Sequence, residues 1–159
     1  MSTTKALSGR RQDKSIAHTG AAQYRRVLMT VDGVFLAVIG GLQVTFELLS
    51  YYAGTGPLGG IFEQSPYTIG WVENHGLAFL IGMLFLLVAA RDGRRVWHGF
   101  GLAVHVLLGV ANIVFWSSFV TFEVVPMGIA ATAAHVLFVA AHTVSLVTTR
   151  RRNRPAMAR

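Results

Sequence analysis

Five of the six histidines in this 159-residue chain lie within apolar segments, where an ionisable side chain is costly to bury. These five are His75, His98, His105, His135 and His142. In a membrane-spanning segment such residues face a bundle interior, a partner or a water-filled cavity. An imidazole ring can ligate haem iron or another metal, relay protons, or form a hydrogen bond between helices. The five histidines therefore mark the place where any chemistry of this chain is expected.

Other polar and small side chains recur every three or four residues in the same segments, which places them on one helix face. The strongly polar members besides the histidines are Asp32, Gln43, Glu47 and Asn112. Unpaired polar groups are too costly in lipid, so these faces are expected to point into the bundle. We predict that the four residues are second-shell partners of a site or members of a proton relay. Asp32 has the simpler alternative of pairing with Arg25 or Arg26.

The first hypothesis for the histidines is a b-type haem site that transfers electrons. His75 follows Pro66 by nine residues, and His135 follows Pro126 by the same interval. Proline is favoured in the first turn of a helix, so the two rings are expected at similar depth. Alternate helices of an up-down bundle are parallel and face each other across the diagonal. His75 and His135 are therefore predicted to be the axial ligands of one haem.

The remaining histidines suggest a second, inner site, formed by His142 with His105 or His98. Histidines on one helix are only seven residues apart, about 10.5 Å of helical rise, which is close for two stacked haems. His105 and His142 are alternatively predicted to relay protons. Glu47 and Gln43 lie one turn apart and are the expected hydrogen-bond partners of the outer ligands.

The second hypothesis is a divalent-metal site for zinc or copper. His75, His105 and His135, with Glu47 as a further donor, are the predicted ligands. No HExxH motif supports a metalloprotease. Cysteine is absent, which excludes disulfides, thiol catalysis, ordinary iron–sulfur ligation and covalent c-type haem attachment.

A third hypothesis needs no cofactor. The chain could be a non-enzymatic accessory or assembly subunit of a membrane complex, whose histidines stabilise the bundle or bind a quinone or lipid. Its partner would then be another membrane subunit. The residue pattern alone does not decide between an enzyme and such a subunit.

Composition identifies the elements that must position these residues. Hydrophobic residues make up 53% of the chain and charged residues only 13%, against about 25% in soluble domains. The mean hydropathy is +0.51. Four apolar segments, at about 27–51, 70–90, 96–119 and 127–147, each approach the roughly 20 residues that span a bilayer. The predicted fold class is all-α, an integral membrane up-down bundle of four transmembrane helices.

The positive charges predict the orientation of this bundle. All 14 Lys and Arg residues lie before the first segment, between the second and third, or after the fourth. The positive-inside rule then places both termini in the cytoplasm of a multi-pass plasma-membrane protein. The net charge of +7 is interpreted as this topology signal, which also attracts anionic lipid head groups, and not as nucleic-acid binding. Residues 1–23 and 150–159 are predicted to be basic cytoplasmic tails, the first disordered, around a transmembrane domain at 24–149.

Overall fold

The computed structural model describes residues 3–92 and 94–152, with side-chain surroundings for 20–92 and 94–148, and every regular element in these ranges is helical. The helices are α1 (Thr3–Ala53), α2 (Thr68–Leu84), α3 (Arg95–Val114), α4 (Trp116–Thr121) and α5 (Val125–Arg152). A π-helical turn, Phe85–Ala89, and a short α-helical segment, Ala90–Asp92, prolong α2. The predicted all-α class is confirmed for the described residues.

Four helical segments are long and apolar enough to cross a membrane. They are Gly20–Ala53, Thr68–Asp92, Arg95–Val114 and Val125–Thr148. Helix α1 also contains residues 3–23 of the predicted basic tail, while residues 153–159 of the second tail lie outside the described residues. The domain bounds at 1–23, 24–149 and 150–159 stay predictions.

The third apolar helix is shorter than the predicted segment at 96–119 because the chain departs from helical geometry at Phe115. Residues 116–119 belong instead to α4, whose following residue Phe122 packs edge-on against Phe62 and Trp71. Neither glycine nor proline marks this break in the sequence. Contacts with Phe62 in the loop between α1 and α2, and with Trp71 on α2, thus accompany a helix break that neither glycine nor proline predicts.

The bundle consists of two closely packed helix pairs, α1 with α2 and α3 with α5. Small residues allow the first pair to approach. A Cβ atom built on Gly82 would lie 2.4 Å from the backbone nitrogen of Ala37, and one built on Gly40 would lie 2.7 Å from the carbonyl oxygen of His75. Only glycine therefore fits at these two crossings without moving a helix.

The interior of this bundle is unusually polar. Among the described residues, nine buried polar or charged residues outnumber seven buried hydrophobic ones, while large apolar side chains cover the outside. Met29, Leu36, Phe85 and Ala89 form a small hydrophobic cluster. This arrangement suits helices surrounded by lipid, because polar groups can then find partners only inside the bundle.

Candidate functional site

Asp32 connects the two helix pairs. Its Oδ1 atom lies 2.7 Å from Nε2 of His105 on α3, and its Oδ2 atom lies 2.8 Å from Nε2 of His142 on α5. All three residues are 0% exposed. A carboxylate without water must be paired to remain ionised, and here each oxygen meets an imidazole nitrogen.

Two further histidines extend this arrangement in both directions. Nδ1 of His105 lies 2.9 Å from Nδ1 of His135, and Nδ1 of His142 lies 3.1 Å from Nδ1 of His98. The result is a continuous chain of hydrogen bonds with the carboxylate at its centre. We call these five residues, Asp32, His98, His105, His135 and His142, the Asp–His cluster.

The spacing of the histidines explains why they meet. His98 and His105 are seven residues apart on α3, as are His135 and His142 on α5, so each pair occupies one helix face two turns apart. The two helices run in opposite directions. A step of seven residues from His98 to His105 on α3 therefore covers the same length as the step back from His142 to His135 on α5. His98 then lies opposite His142, and His105 lies opposite His135.

The hydrogen bonds determine where the protons lie when Asp32 is ionised. His105 and His142 must donate from Nε2 to the carboxylate, which leaves a lone pair on each Nδ1. His135 and His98 then donate from Nδ1 and retain a lone pair on Nε2. Four neutral rings thus supply one proton to each of the four hydrogen bonds. Within the described chain, Nε2 of His98 has no hydrogen-bond partner.

Aromatic and glycine residues shape the surroundings of the cluster. The ring of Phe138 stacks on His105 with a centroid separation of 4.6 Å and an interplanar angle of 11°. On the other side, a Cβ atom at Gly101 would lie 2.7 Å from Nε2 of His142 and 3.3 Å from Oδ2 of Asp32. Glycine at this position leaves the space beside His142 Nε2 and Asp32 Oδ2 free of a side chain.

His75 pairs with Glu47 in a separate group that lies farther than the Asp–His cluster from the connection between α2 and α3. Its Nδ1 atom lies 2.5 Å from Oε1 of Glu47, whose side chain is 1% exposed. Glu47 Oε2 has no hydrogen-bond partner within the described residues. The carboxylate therefore orients the imidazole and leaves Nε2 of His75 for another partner.

A cavity of about 260 Å³ lies between the two groups and is lined by both His75 and His135. Gln43 and Asn112 also line it, together with aromatic side chains such as Trp71. Gln43 Nε2 lies 3.5 Å from the sulfur atom of Met127, a weak contact, and Asn112 Nδ2 has no partner among the described residues. The cavity therefore combines apolar walls with a few convergent polar groups, as small-molecule sites do.

The structure brings the sequence-predicted residues together in a different combination from the one expected. The predicted axial pair, His75 and His135, lines one cavity, but His75 forms a hydrogen bond with Glu47 and His135 forms one with His105. Of the three predicted metal ligands, His105 and His135 belong to the Asp–His cluster, whereas His75 contacts Glu47 outside it. Asp32, predicted as a second-shell or proton-relay residue, contacts two histidines. The equal seven-residue spacings on α3 and α5 are the sequence signal that could have revealed this pairing.

One subset of the cluster has the arrangement of a metal site. One ligand atom from each of Asp32, His105 and His142 lies within 4.8 Å of the other two. These are one carboxylate and two imidazoles, donors that suit divalent transition metals. Comparison of the chain with protein-family models, with curated proteins and with solved structures finds no match.

Proposed function

We propose that this chain is an integral membrane metalloprotein in which Asp32, His105 and His142 bind one divalent transition-metal ion. The observation that supports this most directly is the convergence of three buried ligand atoms from three helices within 4.8 Å. A metal ion would also balance the negative charge of the buried Asp32 carboxylate.

The distances suit such an ion after a small adjustment. Zinc binds nitrogen and oxygen ligands at roughly 2.0–2.1 Å, so ligand atoms of a tetrahedral site lie roughly 3.3 Å apart. The carboxylate oxygens of Asp32 now lie 2.7 and 2.8 Å from the two Nε2 atoms. If each imidazole nitrogen moved about 0.5 Å away from the carboxylate, three metal bonds, to one oxygen of Asp32 and to both Nε2 atoms, would replace the two hydrogen bonds.

His135 and His98 would orient the two histidines that bind the metal. A histidine that binds metal through Nε2 usually donates its Nδ1 proton to another acceptor. His105 and His142 already contact His135 and His98 through Nδ1. If each ring carries its proton on the other nitrogen, the same four protons serve the metal-bound arrangement. Binding then needs no net release of protons from the Asp–His cluster.

We propose that this centre lies within a membrane, which the length and apolar composition of the four helices support. We propose that the four apolar helices cross the plasma membrane with both termini in the cytoplasm. All Lys and Arg residues lie before the first apolar segment, between the second and third, or after the fourth, and these parts of the chain would then share the cytoplasmic side. His98 lies in the first turn of α3, directly after the basic connection, so the cluster extends toward the cytoplasmic side. Basic residues at this side would contact anionic head groups.

Metal analysis of the purified chain tests the proposal. Full-length protein in detergent is loaded with zinc, freed of excess metal and measured by mass spectrometry. We expect about one zinc per chain, with no requirement for haem. Gly101→Ala should weaken binding on the order of tenfold, because its methyl group would occupy the space beside two ligand atoms. Gly99→Ala is the matched control, since nothing lies within 4 Å of its Cβ position.

The absence of stoichiometric metal under these conditions would contradict the proposal. Equal weakening by Gly101→Ala and Gly99→Ala would also contradict it, because the effect would then not come from the site. Copper or iron in place of zinc would retain the site and change only the identity of the ion.

Haem b and electron transfer remain the second candidate function, supported by His75 and His135. Both line one cavity, and the Nδ1 atom of each is engaged, which leaves both Nε2 atoms for axial ligation. The cavity of about 260 Å³ is smaller than the roughly 300–1,000 Å³ of sites for drug-sized ligands. Haem would therefore require the helix pairs to separate, which makes this candidate second to the metal centre.

An absorption spectrum distinguishes the two candidates. Protein expressed with excess haem should show a Soret band and a change on reduction with dithionite if haem is bound. His75→Ala and His135→Ala should then each abolish the band, whereas His98→Ala should retain it. Absence of both haem and metal would favour the accessory-subunit hypothesis, and copurification of a partner would follow as its test.

A further inference from the structure

The cavity beside the Asp–His cluster has features that the proposed metal centre does not use. It is lined by His135, about two turns along α5 from His142, and by residues of α2 such as His75. Side chains from all four long helices line it, including Phe35 on α1, Trp71 on α2 and Leu108 on α3. A pocket enclosed by so many elements is built into the bundle and is not a gap between two helices.

Two imidazoles are among the polar groups that line this cavity. His75 donates its Nδ1 proton to Glu47, and in the metal-free tautomer His135 donates its Nδ1 proton to His105. Each ring therefore keeps an Nε2 lone pair for a ligand, and the Glu47 carboxylate strengthens His75 as an acceptor. Asn112 adds an amide NH₂ group that has no partner among the described residues.

The size and access of the cavity limit the ligand further. An apolar cavity of about 150 Å³ holds benzene, so about 260 Å³ accommodates one substituted aromatic ring. Ile39 and Ala130 line the cavity and are exposed on the outer surface of the bundle. In a membrane that surface faces lipid, which favours a neutral, lipid-soluble ligand. Among the described residues, no Lys or Arg lines the cavity to bind an anionic ligand.

We propose that this cavity binds the head group of a quinol. A 1,4-dihydroxy aromatic ring offers two O–H donors at opposite positions, one for Nε2 of His75 and one for Nε2 of His135. Its flat faces suit the aromatic wall formed by Phe35, Trp71 and Phe119. Its alkyl tail would leave through the exposed side of the cavity into lipid. This site adjoins the metal centre through the hydrogen bond between His135 and His105, and Nε2 of His135 accepts a hydroxyl proton in the metal-free tautomer.

Binding of a synthetic quinol tests the proposal in metal-free protein. The probe is a decyl-substituted benzoquinol kept reduced by dithionite, and its dimethyl ether is the matched probe without O–H donors. Full-length protein carrying Trp97→Phe and Trp116→Phe retains Trp71 as its single tryptophan. We expect saturable quenching of Trp71 fluorescence by the quinol. The diether should bind about tenfold or more weakly, as the loss of two hydrogen bonds implies.

Variants separate the pocket from the fold. Ala78→Phe should fill the cavity and abolish saturable quenching, because Ala78 lines it. Gly76→Ala, on the same helix with nothing within 4 Å of its Cβ position, should bind like the parent protein. His75→Ala should weaken quinol binding about tenfold while leaving the affinity for the diether unchanged. Circular dichroism and gel filtration of each variant verify that the bundle is intact.

Three results would overturn the proposal. Equal binding of the quinol and its diether would show that the imidazoles do not recognise hydroxyl groups. Unsaturable quenching, or quenching unaffected by Ala78→Phe in a folded protein, would show that the ring lies elsewhere. A Soret band lost in His75→Ala would assign the cavity to haem instead. Because metal is absent from the binding measurements, the first two results do not bear on the proposed metal centre, whereas the Soret band would favour the haem candidate.

Discussion

Replacement of Asp32 by asparagine separates the structural role of this residue from metal binding. The asparagine carbonyl can accept the Nε2 proton of His105 as the carboxylate does. Its amide NH₂ can donate to Nε2 of His142, provided that His142 moves its own proton to Nδ1 and donates to His98. All four hydrogen bonds of the Asp–His cluster can thus persist in Asp32→Asn, although two of them lose charge assistance.

The magnitude follows from these contacts. Hydrogen bonds to charged groups contribute about 1.5–3 kcal/mol and neutral ones about 0.5–1.5 kcal/mol, while removal of a buried charge recovers part of the difference. We expect Asp32→Asn to lower the free energy of unfolding by about 1–3 kcal/mol. Asp32→Ala leaves two buried N–H donors of His105 and His142 without an acceptor and creates a cavity, for about 3–6 kcal/mol.

Thermal unfolding of the full-length chain in detergent with EDTA measures this difference. Each kcal/mol shifts Tm by about 2–4 °C in a protein of this size, so Asp32→Ala should unfold about 5–10 °C below Asp32→Asn. Asp92→Asn changes a control carboxylate outside the cluster, exposed and paired with Arg94, and should leave Tm nearly unchanged. Both Asp32 variants should lose stoichiometric zinc, because an amide is a poor ligand for this ion.

Equal instability of Asp32→Asn and Asp32→Ala would refute the predicted rearrangement, because the four hydrogen bonds would then not persist in Asp32→Asn. Retention of zinc by Asp32→Asn at parental affinity would instead refute Asp32 as a ligand. The unfolding temperature and the zinc content are measured independently, so either prediction can be contradicted without the other.

Three further predictions concern the bundle that holds the cluster. Gly82→Ala should destabilise the protein by about 1–3 kcal/mol in chemical or thermal unfolding, because its methyl group meets the backbone of α1, and Gly76→Ala should change stability by less than about 0.5 kcal/mol. Ser50→Ala should increase hydrogen exchange at the buried loop amide that donates to its hydroxyl group, and unchanged exchange would contradict the role of that bond. The chain has no cysteine, so Gly60→Cys should react with an impermeant thiol reagent on intact cells and Arg94→Cys only after lysis; the reverse pattern would invert the proposed topology.

The elements and their polar faces were largely predictable from the sequence. Long apolar segments form helices, and Asp32, Gln43, Glu47 and Asn112 recur at helical spacing because the α-helical period is independent of neighbours. Helix ends were less predictable. Pro126 lies in the first turn of α5, as expected, whereas α2 begins at Thr68, two residues after Pro66. There Ser65 and Thr68 form a turn instead, with the Thr68 amide 3.2 Å from the Ser65 carbonyl oxygen.

The pairing of the histidines depended on which helices are neighbours. Counting from prolines relates His75 to His135, but it measures depth alone and contains no information on lateral distance. In the structure α3 packs against α5, and this brings His105, not His75, to His135. His75 finds Glu47 across the close α1–α2 interface that Gly40 permits.

The sequence by itself determined that this chain forms four long apolar helices and that its histidines and carboxylates share inward faces, since composition and a 3.6-residue period are properties of each segment alone. Only the tertiary structure decided that Asp32 lies between His105 and His142, with His135 and His98 beyond them. That arrangement requires helices from both pairs to meet in one register, which is a property of packing between segments distant in the chain. The separate cavity between His75 and His135 has the same origin.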